Sequence, residues 1–318
     1  MIRKRHTVWL IGGLALIVLL CADLFSGAGQ FSWADRTVLL RLRIPRILTA
    51  LLAGASLAAG GAQMQSIFRN PLADPHIMGI SGGAGLGAAI ATLLLGSRGG
   101  AVWGIAIFAL AGAVLTSSLI LFIARRIRSG GTLLLVGVML GFIFSALVSI
   151  LEYTANEEAL KLYFGWAAGS FTGLRYGEIA LMGGALLVGL ILAFTGHKGL
   201  DLMLFGENYA ELSGARSRGI RFRAVLSCCL MTSAVTAFCG PIGFVGIISP
   251  ILTRRILGSA RNLTVLPGCI LLGGIISLIA DILSNLSPSP LPVGSTMALI
   301  GIPVILLFLG RSSNDKKP

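Results

Sequence analysis

Charged residues are scarce in this chain of 318 residues: 12% are Asp, Glu, Lys or Arg, whereas 55% are hydrophobic. A water-soluble domain carries about a quarter of its residues as charges. The mean hydropathy is +0.91. Disordered chains and coiled coils also need more polarity than this, so the composition excludes them together with soluble globular domains. It predicts an integral membrane protein.

Acidic residues are the scarcer charge, with 12 Asp and Glu against 25 Lys and Arg and a formal net charge of +13. Such an excess of base is found in nucleic-acid-binding proteins, and also in membrane proteins whose inner loops carry Lys and Arg. The hydrophobic composition favours the second interpretation, in which the chain is surrounded by membrane lipid and binds no nucleic acid.

Residues that carry enzyme chemistry are also few. The histidines lie far apart, at His6, His76 and His197, and the five cysteines lie in apolar runs without the spacing of metal ligands. The sequence contains no G-x-x-x-x-G-K-[ST] motif, which excludes nucleotide hydrolysis through a P-loop. Asp23 and Asp281 are the acids within or beside apolar runs. Asp281 is either a cap or partner of a nearby amide, or a substrate contact.

Uncharged runs dominate the rest of the sequence, and about 20 helical residues suffice to span a bilayer. The run from Ala224 to Thr253 is too long for one crossing and contains Gly240-Pro241, so two helices are expected there. Alternate prolines before position 293 predict a turn ahead of the last helix. The sequence thus predicts an all-α polytopic membrane protein, a single transmembrane domain over 1–318, with about ten helices at about 7–25, 46–68, 76–96, 100–124, 131–151, 177–196, 224–239, 242–257, 264–283 and 293–310.

The distribution of Lys and Arg supports an even number of crossings. With about ten crossings, most of these residues, including Arg125-Arg126 and Arg254-Arg255, fall on the side of the termini, which the positive-inside rule makes cytoplasmic. The first apolar run also resembles a secretory or lipoprotein signal. However, Leu20 precedes Cys21, where a lipoprotein cleavage site requires a small residue. We therefore expect an uncleaved first helix and two cytoplasmic termini.

Two predicted loops carry unusual polar residues. The outer loop Arg41–Arg46 holds three arginines on the side that should be poor in base. They either anchor lipid phosphates or dock an acidic partner. The longest inner loop, 198–223, holds Glu207 and Glu211 at i,i+4 spacing. A short amphipathic helix in this position is either a docking peg for a partner or a solvated connector.

A series of spaced motifs, in a fixed order from about Arg43 to Gly310, resembles one family. The motifs are Arg43-Ile-Pro-Arg46; Asn70-Pro-Leu-Ala-Asp-Pro75; Gly206-Glu207 with Ala210 and Gly214; Gly240-Pro-Ile-Gly-Phe-Val-Gly246 followed by Pro250; Ala280-Asp281; and Leu291-Pro-Val-Gly294 with Thr296, Gly301 and Pro303. The chain resembles the FecCD-type permease subunits of ABC importers for iron-siderophores, haem and cobalamin.

The resemblance implies a permease with no catalytic residue, metal or cofactor of its own. It also implies ten transmembrane helices, a second permease subunit that is identical or a sister chain, a periplasmic substrate-binding protein, and two cytoplasmic ATPase subunits that hold ATP and magnesium. In the family, arginines at the positions of Arg43 and Arg46 dock the binding protein. The implied ATPase-coupling residues are Gly206, Glu207, Ala210, Glu211 and Gly214, and the implied cytoplasmic gate comprises Ser129, Gly130, Gly131 and Thr132.

Two positions depart from the family pattern: Asn285 stands where relatives carry a third docking arginine, and Ile251 where they carry histidine. Neither departure removes a catalytic group. The expected function is ATP-driven import of a metal chelate across the bacterial inner membrane, with the cargo left open. A secondary transporter driven by an ion gradient is the alternative, although it would need more ionisable groups within its helices. A membrane enzyme would need a metal or base cluster.

Overall fold

The structure is a computed structural model that describes residues 2–26, 36–95, 102–127, 130–286 and 290–314. Over these ranges the chain is mainly helical and contains no strand. The helices are α1 (Ile2–Phe25), α2 (Arg36–Phe68), α3 (Ile80–Leu94), α4 (Val102–Arg126), α5 (Gly130–Thr154), α6 (Glu157–Ala167), α7 (Tyr176–Thr195), α8 (His197–Leu204), α9 (Glu207–Leu212), α10 (Ser217–Cys239), α11 (Val245–Leu257), α12 (Asn262–Ser284) and α13 (Val293–Asn314).

Each predicted crossing contains a helix, and α6, α8 and α9 are additional short helices in the connections. Within the described part of the chain, seven helices are long and apolar enough to cross a membrane. Two further apolar helices, Ile80–Leu94 and Val293–Leu307, are shorter. The prediction of an all-α, polytopic membrane protein is therefore confirmed.

The arginine-rich segment Arg41–Arg46 lies inside α2 and not in the loop that the sequence predicts. A π-helical turn over Leu39–Arg43 ends two residues before Pro45. In an α-helix the proline ring clashes with the carbonyl four residues earlier, which here belongs to Arg41, and the wider π turn relieves that clash. The helix therefore continues past the proline, and it carries its arginines on a rigid element.

Helix α2 is the central helix of the bundle, and most of its residues from Pro45 to Ile67 are buried. Its small residues allow other backbones to approach closely. A Cβ atom at Gly54 would lie 2.2 Å from the carbonyl oxygen of Gly273 in α12, and one at Gly61 would lie 1.9 Å from that of Gly246 in α11. The glycines thus fix the positions of α11 and α12. In contrast, most residues of α1 and α5 are at least partly exposed in the protomer.

The bundle also encloses irregular backbone, between α2 and α3 and between α10 and α11. Asp74, which is 3% exposed, accepts a hydrogen bond from the backbone N–H of His76 at 3.1 Å and is also hydrogen-bonded by the backbone of Phe244. Gly246 lies against both Asp74 and the Leu57 carbonyl of α2. Non-helical backbone is tolerated inside a membrane protein where protein groups satisfy it. The Asp74 carboxylate accepts hydrogen bonds from the irregular backbone on both sides, from His76 between α2 and α3 and from Phe244 between α10 and α11.

Candidate functional sites at the two ends of the bundle

The outer end of the bundle, named here from the predicted orientation, holds a buried ion-pair network centred on Arg46. Its Nη2 lies 3.0 Å from Asp23 Oδ1, and its Nε lies 2.8 Å from Asp281 Oδ2. The Arg46 side chain is 7% exposed, and the two carboxylate side chains are 0% and 2% exposed. Because the three residues belong to α2, α1 and α12, the network ties the peripheral first helix to the centre of the bundle.

Two further donors complete this outer cluster. Arg43 Nη1 donates to the carbonyl oxygen of Leu24 at 2.5 Å, which places a cation at the C-terminal end of α1, where the helix dipole favours it. Asn285 Nδ2 donates to the backbone oxygen of Asp281 at 2.7 Å and to its carboxylate at 3.3 Å. Asn285, which stands in place of the family's arginine, is therefore a local partner of Asp281.

Both predicted docking residues are thus buried within the protomer, Arg43 at 6% and Arg46 at 7% exposure. A direct contact between Arg46 and a partner carboxylate requires an exchange of its present aspartate partners. Arg36 and Arg41, on the same segment of α2, are exposed. The docking role of Arg43 and Arg46 stays a prediction, and the exposed arginines extend the basic surface beside them.

The inner end carries α9, a short helix flanked by two glycines that have positive φ angles. Gly206 has φ +114° and Gly214 has φ +80°, conformations that L side chains rarely adopt. Ala210, on the inward face of the helix, is fully buried. Glu211 Oε1 accepts a hydrogen bond from Ser217 Oγ at 2.5 Å, which fixes the helix to the start of α10.

Glu207, the first residue of α9, joins three other segments. Its Oε1 lies 2.5 Å from Arg221 Nη2 of α10 and accepts a hydrogen bond from the backbone N–H of Gly130 at 3.1 Å. Arg221 Nη1 donates to the carbonyl oxygen of Ile127 at 3.0 Å. Arg221 is completely buried, and Glu207 is 27% exposed. One ion pair therefore holds the end of α4 and the beginning of α5 against the predicted coupling helix.

The same helix and the preceding Phe205 present apolar side chains to their surroundings. Phe205 is 71% exposed, Tyr209 is 50% exposed and Leu212 is 89% exposed. The rings of Phe205 and Tyr209 are 5.2 Å apart, centroid to centroid. An exposed aromatic and apolar edge surrounded by polar residues is typical of a protein–protein contact surface.

The structure brings part of the predicted gate to this inner cluster. Gly130 is buried and bonded to Glu207, whereas the neighbouring Gly131 and Thr132 at the start of α5 are exposed. Ser129 lies outside the described residues. The gate role stays a prediction, but Gly130 and the coupling residue Glu207, far apart in the sequence, are in direct contact.

Sequence reasoning missed the role of Arg221, which it counted only among the bases that orient the chain. Helical periodicity carries the missing signal. Ala224, Val225 and Cys228 follow Arg221 at spacings of three, four and seven residues and are buried, whereas Arg218 lies on the exposed face. Within this cluster of bases, the pattern thus marks Arg221 as the inward-facing charge, and a buried arginine needs a carboxylate partner.

Titratable side chains do not converge on a metal site over the described ranges, where no group of three or more His, Cys, Asp and Glu could hold an ion. The free thiols are buried except for the exposed Cys21; the buried ones are Cys228, Cys229, Cys239 and Cys269. The two candidate sites contain ion pairs between side chains of different helices.

Comparison with known proteins gives a consistent result over almost the whole chain. Residues 11–311 match the model of the FecCD transport family. The vitamin B12 import system permease protein BtuC of Salmonella paratyphi A (strain ATCC 9150 / SARB42) is 36% identical over 321 residues, covering 98% of this chain and 97% of the relative. BtuC of Yersinia enterocolitica serotype O:8 is also 36% identical, over 308 residues, covering 95% and 91%.

Solved structures agree with this similarity. An inward-facing conformation of a metal-chelate type ABC transporter superimposes with a TM-score of 0.85 at 30% identity, covering 96% of this chain and 99% of the other. PsaBC from Streptococcus pneumoniae shares the fold, with a TM-score of 0.51 at 18% identity over 83% of this chain. The motifs, the helical architecture, the family match over residues 11–311 and the 36% identity over almost the whole chain lead to one conclusion: the chain belongs to the FecCD transport family.

Proposed function

We propose that this protein is the permease subunit of an ATP-driven importer that moves a metal chelate of the cobalamin, haem or iron-siderophore class across the bacterial inner membrane. The observation that carries the proposal is the 36% identity over 98% of the chain to a vitamin B12 import permease. Cobalamin is therefore the first cargo to test.

The inner surface supports docking of an ATPase subunit. Phe205, Tyr209 and Leu212 present an exposed apolar edge of the kind that an apolar groove of a partner protein binds. The coupling element comprises Gly206, Glu207, Ala210, Glu211 and Gly214. In this proposal the ATPase holds ATP and magnesium, and the permease supplies the pathway and no catalytic group.

The outer surface supports docking of an acidic, periplasmic substrate-binding protein. Arg36 and Arg41 are exposed at the start of α2 and meet the partner first, because long-range attraction acts through exposed charges. Arg43 and Arg46 lie beneath them and bind partner glutamates only after exchange of their present partners. A second permease subunit, identical or a sister chain, covers the exposed apolar face of α5, and both termini are cytoplasmic.

The proposal is tested by reconstituting the permease with its ATPase and binding protein in proteoliposomes and measuring uptake of radiolabelled cyanocobalamin, haem and ferric siderophore. We expect uptake of one cargo that requires ATP inside the vesicles and stops when the ATPase is omitted. Uptake driven by a proton or sodium gradient without the ATPase would establish the secondary-transporter alternative instead.

The same vesicles test the outer surface. Substitution of both Arg36→Glu and Arg41→Glu reverses two exposed charges without disturbing buried contacts, so we expect weaker stimulation by the binding protein and an unchanged amount of copurified ATPase. If the binding protein stimulates the double variant as strongly as the wild type at physiological salt, these two arginines are not part of the docking surface.

A further inference from the structure

We propose that a pocket at the inner end of the bundle binds a phosphate ester that carries hydroxyl groups, the chemistry of glycerol phosphate and of a phosphatidylglycerol headgroup. The pocket lies between the end of α7, helix α8 and the beginning of α10, and one residue of α2 reaches it. Its volume is about 440 Å³, and ligand sites commonly measure about 300–1,000 Å³. Among the described residues, none of α9 lines this pocket, so it is distinct from the predicted coupling helix.

Basic side chains from two helices line the pocket. Lys198 belongs to α8, Arg216 directly precedes α10, and Arg223 lies in the second turn of α10; all are exposed. In the part of the chain that the structure describes, none of these bases forms an ion pair, and no Asp or Glu lines the pocket. Cations around one cavity repel each other, and a bound anion removes that repulsion. Because guanidinium groups match phosphate oxygens at two points, the pocket favours a phosphate.

The carboxylates that are closest in sequence to these bases have other partners. Asp201 Oδ1, on α8, accepts hydrogen bonds from the backbone N–H of Asn262 at 2.7 Å and from its side-chain Nδ2 at 2.8 Å. Glu211 Oε1 accepts a hydrogen bond from Ser217 Oγ at 2.5 Å. Both acids therefore stabilise contacts of the fold, and the positive charge around the pocket is left for a ligand from outside the chain.

A buried amide oxygen lies at the closed end of the pocket. Gln63 of α2 lines the pocket and is completely buried. Its Nε2 donates to the carbonyl oxygen of Ala59 at 3.2 Å and to Ser227 Oγ at 3.0 Å. Since Ser227 Oγ donates its own proton to the Gly189 carbonyl, both partners of Nε2 act as acceptors, which fixes the orientation of the amide. Gln63 Oε1 is left without a hydrogen-bond partner among the described residues.

The exposed bases and the buried oxygen together define the class of ligand. The bases attract an anionic group at the mouth, and Gln63 Oε1 needs a hydrogen-bond donor at the closed end, because buried acceptors are normally paired. A phosphate ester of a polyol carries both groups, separated by its carbon chain. Apolar residues line the pocket between them, namely Leu192, Leu200, Leu202 and Ile220. Since α7 is long and apolar enough to span a membrane and ends at Thr195, a headgroup of the inner leaflet reaches the mouth as readily as a soluble ester.

The first test compares two arginines of α10 by native mass spectrometry of the purified permease titrated with phosphatidylglycerol. Arg223→Gln removes a base that lines the pocket, and Arg218→Gln removes an exposed base on the same helix that does not line it. We expect the affinity of Arg223→Gln to fall about tenfold, the effect of losing one hydrogen bond to a charged group, and that of Arg218→Gln to stay at the wild-type value. Equal affinities in the two variants would overturn the proposal. The measurement involves no transport, so its outcome does not depend on the proposed function.

The second test needs no substitution and therefore decides even if Arg223→Gln does not fold. Phosphatidylmethanol has the same phosphodiester charge as phosphatidylglycerol but no hydroxyl group, so it cannot donate to Gln63 Oε1. We expect the wild-type permease to bind phosphatidylglycerol about fivefold more tightly than phosphatidylmethanol, the effect of one net hydrogen bond. Equal binding of the two lipids would contradict the assignment of Gln63 as the group that recognises the ligand.

Competition distinguishes the two sources of the phosphate ester. Soluble glycerol phosphate is added to the permease with bound phosphatidylglycerol, and methyl phosphate serves as the control without free hydroxyl groups on carbon. Displacement by glycerol phosphate alone identifies a soluble ester as the ligand, and no displacement identifies the lipid. Both results support the pocket if binding also weakens in Lys198→Gln, which removes the base contributed by α8. Binding that is unchanged in Lys198→Gln and in Arg223→Gln would place the ligand elsewhere and overturn the proposal.

Discussion

The two ends of the bundle each bury an arginine against carboxylates, but they enclose it differently. At the outer end Arg46 lies between carboxylates that are 0% and 2% exposed, whereas at the inner end Glu207, the partner of Arg221, is 27% exposed. The outer partners belong to long membrane-spanning helices, and Glu207 belongs to a six-residue helix between glycines.

This difference separates a closed network from an open one. Charges that are buried on all sides cannot be separated without leaving one of them unpaired in a medium of low dielectric constant. A carboxylate that keeps contact with solvent can be rehydrated when its partner is removed, so Glu207 is less costly to leave alone than Asp23 or Asp281, although the buried Arg221 still needs a partner. The outer network is therefore built to hold α1, α2 and α12 in fixed positions, and the inner network is built to move together with a partner protein.

The largest expected effect comes from replacing each arginine with methionine, which removes the charge and keeps an unbranched apolar stem. Arg46→Met leaves two buried carboxylates without their cation, and we expect a loss of stability of about 3–5 kcal/mol, as for other buried pairs broken on one side. Arg221→Met should cost less stability, because Glu207 can rehydrate. Thermal unfolding of the purified permease in nanodiscs measures both losses.

Arg41→Met, which removes an exposed arginine from the same segment as Arg46, is the control and should leave the unfolding temperature close to that of the wild type. The proposed difference between the closed outer network and the open inner network is wrong if Arg221→Met lowers the unfolding temperature as much as Arg46→Met does. It is also wrong if both behave like the control.

The sequence is a good guide to the helices because the signal for a membrane helix is long and repeated. An uncharged run such as Ile47–Phe68 predicts a crossing from its length alone. The helix ends are less well predicted: α2 begins at Arg36 because a π turn accommodates Pro45, and α10 begins at Ser217 because Arg221 is paired inside the protein. Both extensions depend on tertiary contacts, which the sequence pattern does not contain.

The candidate sites are predicted less completely than the fold, for a related reason. The resemblance identifies Arg43, Arg46 and Glu207 as important positions, but it does not tell which carboxylate or amide each side chain binds within the chain. The partners Asp23 and Arg221 are distant in sequence from the residues they bind. Their pairing follows from the packing of α1 against α2 and of α9 against α10, and no local pattern records it.

A smaller effect is expected where helices meet through glycine. Gly54 and Gly61 lie on α2, and an added Cβ would meet the backbone of α12 or α11 at 2.2 Å and 1.9 Å, respectively. We expect Gly54→Ala to cost about 1–3 kcal/mol, typical of overpacking, because the outer ion pairs prevent α12 from shifting. Gly61→Ala should cost less despite its closer contact, because α11 follows an irregular segment that can adjust.

Chemical or thermal unfolding of the two alanine variants checks this order. Gly184→Ala serves as the control, since no atom lies within 4 Å of the added Cβ and the site is in a helix. A larger loss of stability for Gly61→Ala than for Gly54→Ala would mean that the inner half of the bundle is at least as rigid as the outer half. The difference between the two ends would then hold only for their ion-pair networks.

The smallest expected effect concerns one hydroxyl at each end. Ser26 Oγ donates to Asp23 Oδ1 at 2.7 Å and accepts from Arg46 Nη2 at 3.1 Å, and Ser217 Oγ donates to the carboxylate of the exposed Glu211 at 2.5 Å. Ser26→Ala removes the hydrogen bonds of a half-buried hydroxyl to the buried Asp23 and Arg46, whose polar atoms water reaches poorly, so we expect a loss of about 1 kcal/mol. Ser217→Ala leaves a carboxylate that water can reach, so its effect on unfolding should be close to zero even though its hydrogen bond is the shorter one. Equal losses in the two variants would show that hydrogen-bond length, and not access of water, sets the strength of these networks.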